Sequence, residues 1–278
     1  MAATSDRALQ DALIRLLADA PFRSALSAGD EDALTQIPPE HAAVLRAVSP
    51  DRVRRFARFI ARGYYHERVA HFYRYSHALA RWTRCRPVDA LRTPACDALL
   101  DRVILGSRDS AHDVAALVES HLAAASDAPP YAADLRRYES AQMIIEAGPR
   151  VWRSSASSPA ITATTIAAPS ADILVLDFAW DLPALLPTLL AARTDDSAQP
   201  SPPRATRTPT QLLFARSPRA RVTVMRWSDS LAHLLSTMDG TRALRDVAAA
   251  AGLPDHDVLE IASTLAEVGA IHATEVSQ

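Results

Sequence analysis

The stretch that decides the fold is LLSTMDGTRALRDVAAAAGLPDHDVLEIASTLAEVGAIHA, Leu234 to Ala273. It predicts three short helices and a terminal strand, the outline of a small winged-helix domain. The first helix stops at Asp239-Gly240 and the second at Gly252, because glycine favours the left-handed backbone that ends helices. Pro254 starts the third helix, which carries one apolar face: Val258, Ile261, Leu265 and Val268.

Strand patterns precede these helices. Two apolar runs, Gln211 to Ala215 and Arg221 to Trp227, are joined by a Ser-Pro-Arg-Ala turn, which predicts a hairpin. The run Ile173 to Phe178 predicts a buried strand, and residues 161–166 a short one. Residues 194–209 hold four prolines and no large apolar side chain, which predicts a flexible proline-rich loop.

Residues 8 to about 147 follow a helical period instead. Ser49-Pro50 marks one helix start, because proline in the first turn loses no hydrogen bond. After Gly148-Pro149 the composition changes to Ser, Thr, Ala and Pro. The chain therefore predicts an α+β fold. An all-helical domain, 1–147, precedes a winged-helix-like α/β domain, 148–278, which has a small antiparallel sheet and a recognition segment at 210–273.

Composition limits the classes of protein that the chain suits. A chain of 278 residues with 49% hydrophobic composition buries one large core or two modest ones. The start, MAATSDRALQDAL, is charged where a secretory signal needs an apolar core, and no run approaches the roughly 20 apolar residues of a membrane span. Cys85 and Cys96 lack the CxxC spacing of a zinc or redox site. We therefore expect a cytoplasmic protein with two reduced thiols and no membrane association.

Catalytic and metal-binding motifs are missing from the sequence. The GxSxG, P-loop and GxGxxG patterns are absent from a chain with only seven glycines. His66, His71 and His77 cluster in YYHERVAHFYRYSH, but one helix holds the first two about 140° apart, and the first and third about 16 Å apart along its axis. The HExxH zinc motif is also absent, because Ala70 occupies the position of its second histidine. We expect no catalytic residue, metal ligand or cofactor in this chain.

Positive charge, all of it arginine, is concentrated in two segments. The segment from Asp51 to Arg92 holds eleven arginines and three acidic residues. The segment from Ser201 to Trp227 holds six arginines and no acidic residue. Each is either a solvated face or a landing surface for an acidic partner. DNA is disfavoured, because the third helix, Asp255 to Gly269, carries four acids and no arginine. A winged-helix transcriptional regulator, or nucleic-acid binding through residues 51–92, remains an alternative. An independent iron or zinc enzyme is a further one.

The same hairpin and third helix suit peptide binding by strand addition. A hairpin edge offers unpaired backbone groups, and the helix offers a second wall. For each apolar candidate, a place in the domain core is an equal alternative, while the arginines favour an acidic peptide. The candidate peptide-binding residues are Arg219, Arg221, Val222, Thr223, Val224, Met225, Val258, Ile261 and Leu265.

The opening stretch resembles the PqqD-like module, the RiPP recognition element. The shared pattern is a leucine pair, a DGTRT-like turn, a helix ending at small residues, and a final helix and strand. The preceding hairpin, QLLFARSPRARVTVMRW, also fits, so the resemblance covers about Thr210 to Ala273.

Taken whole, with LLADAPFRSAL near its start and ADILVLDFAWDLPALL in its middle, the chain resembles the partner proteins of multinuclear non-haem iron oxidative enzymes of methanobactin-type and thiaglutamate-type pathways. The resemblance implies a non-catalytic partner without iron. Such a partner binds the leader of a precursor peptide, forms a heterodimer with the iron enzyme and brings the core peptide to its metal site. The helical half would contact the enzyme, with Arg55, Arg58, Arg62, Tyr64 and Tyr65 as candidates.

Overall fold

The computed structural model describes residues 2–37, 39–148, 160–194 and 201–274. The chain separates into two compact units, Met1–Ala128 and Pro129–Gln278. Helices alternate with small antiparallel sheets in the described residues, which confirms the predicted α+β class.

The first unit is built from helices in its described part. They are α1 (Ala2–Ala18), α2 (Ala20–Ala28), α3 (Glu31–Thr35), α4 (Pro39–Ala47), α5 (Pro50–Phe72), α6 (Arg74–Thr83), a 3-10 helix (Pro87–Arg92), α7 (Pro94–Leu100) and α8 (Arg108–Ala123). The long helix α5 begins at Pro50, as predicted, and continues through Gly63 without a break. Its buried side, which includes Tyr65 and Val69, packs against α1, the 3-10 helix and α7.

The second unit combines a helix, two sheets and a group of helices. Its elements are α9 (Ala132–Glu146), β1 (Ile166–Pro169), β2 (Leu174–Phe178), α10 (Leu182–Thr194), β3 (Thr210–Arg216), β4 (Val222–Arg226), α11 (Asp229–Thr237), α12 (Leu244–Ala251), α13 (Asp255–Val268) and β5 (Ile271–Thr274). The predicted hairpin and three C-terminal helices are confirmed. The strand predicted at 173–178 is also present, but it is a half-buried edge strand and not a buried one. The short strand lies at 166–169, five residues later than predicted. Residues 201–209 contain no helix or strand, and 195–200 lie outside the described residues.

The boundary between the units differs from the predicted one at residue 147. It falls between Ala128 and Pro129, which places α9 in the second unit. Tertiary packing explains the difference, because α9 packs on the sheet formed by β2, β3 and β4. Its Tyr138 ring lies 5.5 Å from Phe214 of β3 and 6.3 Å from Phe178 of β2.

The three-stranded sheet is antiparallel, in the order β2-β3-β4, and is covered on both faces. Leu212 and Phe214 of β3 lie on the face that α9 covers. Leu213 and Ala215 lie on the opposite face, in a core shared with buried residues of the three C-terminal helices. All four side chains are at most 1% exposed. The second sheet pairs β1 with β5, so that the strand after α13 is held by a strand that precedes the hairpin.

The end of α13 is held against the hairpin by a close backbone contact. Gly269 ends this helix with φ of +79°, and a Cβ atom built on it would lie 2.0 Å from the Arg216 carbonyl oxygen of β3. Gly252 ends α12 with φ of +66°, but a Cβ there would meet nothing within 4 Å. Of these two glycines, Gly269 alone combines backbone strain with a steric limit.

Replacing Gly269 by alanine should destabilise the protein far more than replacing Gly252. Gly252→Ala adds the strain of a left-handed alanine, about 1 kcal/mol. Gly269→Ala adds the same strain and also forces the helix and hairpin apart, for a loss of about 3 kcal/mol or more. Urea unfolding followed by circular dichroism measures both values. Equal losses would show that the contact of Gly269 with Arg216 does not limit the packing.

Candidate functional site

The strand β4 lies at the edge of its sheet. It pairs with β3 in the register Leu213 with Met225 and Phe214 with Val224, and the described residues contain no strand on its other side. An open strand edge presents unpaired N–H and C=O groups, to which an extended peptide can add. The direction of each amide of β4 decides which groups are available.

Two hydrogen bonds at the ends of the hairpin fix these directions. The Trp227 amide donates to the Gln211 carbonyl at 2.9 Å, and the Ser217 amide donates to the Arg221 carbonyl at 2.8 Å. In an antiparallel ladder, hydrogen-bonded and non-hydrogen-bonded pairs alternate along the strands. The alternation directs the amides of Thr223 and Met225 toward β3. The backbone amides and carbonyls of the alternate residues point to the open edge. These residues are Val222, Val224 and Arg226.

The opposite edge of the sheet is partly covered. The same alternation directs the amides of Val175 and Asp177 in β2 away from β3. There, the guanidinium of Arg137 in α9 donates to the Asp177 carbonyl at 3.1 Å. Of the two edges, β4 therefore offers the longer row of backbone groups without a partner in the described residues.

The side chains beside the open edge are partly exposed. Val222 to Met225 are all half-buried. Met225 packs against the core that the three C-terminal helices share, and Ile261 of α13 packs against the same core while remaining half-buried. Val224 lies opposite Phe214, on the face that α9 covers. A peptide on this edge would meet apolar surface on both sides of the sheet.

The tip of the hairpin is cationic. Ala220 has φ of +58° and donates its amide to the Ser217 carbonyl, which closes the tight loop between the strands. Arg219 and Arg221 are exposed there, and neither has an ion pair within the described residues. Two arginines at the end of the edge would attract an acidic peptide.

Two of the predicted peptide contacts are corrected by the structure. Val258 and Leu265 of α13 are fully buried, at 0% exposure, in the core of the second unit. Their seven-residue spacing does place them on one face, but that face packs inside the domain. They cannot contact a peptide in this conformation. Of the α13 candidates, Ile261 alone reaches the surface.

The predicted partner-interface residues of α5 divide in the same way. Tyr65 is 1% exposed and belongs to the core. Arg58 pairs with Asp101, and Arg62 pairs with Asp97, so both guanidinium groups hold α5 to α7 and the residue that follows it. Tyr64 is half-buried with the Arg68 guanidinium 3.5 Å from its ring centre. Arg55 is exposed and has no ion pair in the described part of the chain.

Asp101 is the centre of the ion pairs on α5. Arg54 donates to both of its carboxylate oxygens, at 3.1 and 2.5 Å, and Arg58 donates to both as well. Hydrogen bonds from Arg58 and then Arg54 hold the pKa of Asp101 far below its usual range. These bonds, between residues more than 40 positions apart, were not predictable from the local sequence pattern.

The three histidines of α5 and α6 do not form a metal site in the described residues. His66, His71 and His77 are exposed. Across residues 2–37, 39–148, 160–194 and 201–274, no three His, Cys, Asp or Glu side chains come together as metal ligands. No helix in these same ranges has the length and hydropathy to cross a membrane.

Comparison with protein families and with curated proteins gives no relative from which residue roles could be transferred. No protein-family model matches the chain, and no curated protein matches it. The open β4 edge is therefore defined by its geometry alone.

Replacing Asp101 by asparagine should weaken the first unit in a pH-dependent way. We expect a loss of about 1 to 2 kcal/mol at pH 7, because Arg54 and Arg58 lose a shared counter-charge. The folded pKa is depressed, so the contribution of Asp101 is present above its unfolded value of about 3.9 and is lost as the pH falls toward the folded value. Urea unfolding at pH 7 and pH 3 measures the difference.

Asp89→Asn is the matched control, because Asp89 pairs with Arg86 and Arg92 on the protein surface. Its loss should stay below about 0.5 kcal/mol. A pH-independent loss for Asp101→Asn would show that the carboxylate charge is not what stabilises the cluster.

Proposed function

We propose that this chain is a non-catalytic accessory subunit that binds the leader of a ribosomally made precursor peptide along β4. The observation that carries the proposal is the open edge, where Val222, Val224 and Arg226 direct backbone groups away from β3. The hairpin and the three helices after it also support a PqqD-like recognition element of winged-helix type, which the sequence of residues 210–273 resembles.

The energetics of strand addition fit a peptide that also has apolar and acidic side chains. The edge offers at most six main-chain hydrogen bonds, worth about 1 kcal/mol each in net terms. The resulting 6 kcal/mol or so falls short of the roughly 8 kcal/mol of a micromolar complex. The half-buried side chains of Val222, Val224 and Ile261 would supply apolar contact, while Arg219 and Arg221 would attract acidic residues.

In this proposal the oxidative chemistry belongs to a partner. The sequence resemblance supports a multinuclear non-haem iron enzyme that forms a heterodimer with this chain in the cytoplasm and receives the core peptide. The chain itself would hold no iron or other cofactor. Its role would be to raise the local concentration of the core peptide at the enzyme, because tethering makes the second encounter intramolecular.

The nucleic-acid alternative has less support. Five arginines between 51 and 92 lie in ion pairs with aspartates of the same unit: Arg54, Arg58, Arg62, Arg86 and Arg92. They have less charge to offer to phosphates. The surface of α13 carries acids, with Asp255, Glu260 and Glu267 exposed.

The substitution Val224→Pro tests strand addition, because it deletes an outward N–H and adds a ring at the open edge. Val175→Pro is the control, since Val175 is also half-buried and directs its N–H outward at the other edge. The probes are fluorescent synthetic peptides covering each short open reading frame that neighbours the gene for this chain. Fluorescence anisotropy should show binding that is weakened at least about tenfold by Val224→Pro and changed less than about twofold by Val175→Pro.

Circular dichroism of both variants establishes that they remain folded. Equal affinity of the Val224→Pro variant and the unchanged chain would contradict strand addition at β4. A lack of binding by every peptide to the unchanged chain would contradict the proposed function as a whole.

A further inference from the structure

The outer side of α5 carries an apolar stripe that is exposed among the described residues. Phe59 is 71% exposed, Phe56 is 52% exposed and Ile60 is 37% exposed. The two phenylalanine rings stack with centroids 6.4 Å apart and planes 15° apart, so the stripe has a defined shape. Contiguous exposed apolar surface is typical of protein-interaction sites.

The charges at the two ends of the stripe are opposite. At 100° per residue, Arg52 lies one turn before Phe56 on the same side of α5, and Glu67 lies two turns after Ile60 on that side. Both charged residues are exposed, and neither has an ion pair within the described residues. Gly63 lies between them on the stripe, and a Cβ added to it would meet nothing within 4 Å.

This arrangement is self-complementary about its centre. Two antiparallel copies of α5 that cross between Phe59 and Ile60 place Phe59 of each copy against Ile60 of the other. The same crossing places Phe56 over the open surface at Gly63, and Arg52 opposite Glu67. A two-fold symmetric interface requires such pairing, because the same patch on each copy must be complementary to its counterpart on the other. Antiparallel helices that cross at about 20° keep such pairs in contact over several turns.

We propose that α5 is a homodimerisation surface and that its occupant is a second copy of this chain. The stripe of Arg52, Phe56, Phe59, Ile60, Gly63 and Glu67 would form an isologous helix pair. The apolar centre would supply the attraction, and the two Arg52–Glu67 pairs would set the antiparallel direction. The stripe belongs to the first unit and β4 to the second, so dimerisation and peptide binding would use different residues of the chain.

Sedimentation velocity of the full chain tests the proposal. Between about 1 and 200 µM, the mass should rise from the monomer value of 30.1 kDa toward twice that value, as expected for a small interface. Phe59→Glu should weaken the dimer at least about 100-fold, because it buries a charge at the centre of the stripe. Ala116→Glu, at an exposed position of α8, adds the same charge elsewhere and should leave dimerisation unchanged.

A charge exchange tests the direction of the helices. Arg52→Glu alone and Glu67→Arg alone should each weaken the dimer about five- to tenfold, because each places like charges opposite one another. The double variant, Arg52→Glu with Glu67→Arg, should restore the dimer to within about twofold. A monomer at every concentration would overturn the proposal. A dimer that Phe59→Glu does not weaken would overturn it as well, and so would a double variant as weak as the single ones.

Discussion

The position of β3 is the constraint on which the second unit depends. Its central side chains, Leu212 to Ala215, are buried on both faces, and its backbone is paired on both edges, with β2 on one side and β4 on the other. A strand in this position needs a cover for each face, which α9 and the C-terminal helices provide. It also requires two edge strands. The Arg137 contact at Asp177 leaves β4 as the more open of the two. The candidate site therefore follows from the packing around one strand.

Local patterns in the sequence were sufficient for much of this fold. The hairpin, the strand at 174–178 and the three C-terminal helices follow from alternation, helical period and glycine stops, and each lies within a few residues of its predicted position. The domain boundary predicted at residue 147 was not correct, because α9 has a helical pattern like that of the helices before it. Only its packing on the sheet, through Tyr138, assigns it to the second unit. A periodic pattern identifies a helix but not its neighbours.

The site residues show the same limit. The pattern on α13 identified an apolar face correctly, yet burial separates Val258 and Leu265 from Ile261, and burial depends on contacts far along the chain. Arg58 and Arg62 read as free charges in the sequence because their aspartate partners lie 43 and 35 residues away. The directions of the β4 amides required the register with β3. What remained predictable was the hairpin edge itself, since alternation and turn chemistry are local.

Amide hydrogen exchange, resolved by residue with nuclear magnetic resonance, tests the open edge most directly. In the free protein, the amides of Thr223 and Met225 should exchange slowly because they donate to β3, while those of Val222, Val224 and Arg226 should exchange fast. A precursor peptide that adds to β4 should slow these three amides selectively. Five equally slow amides in the free protein would contradict the account. So would a bound peptide that leaves Val222, Val224 and Arg226 exchanging as fast as before.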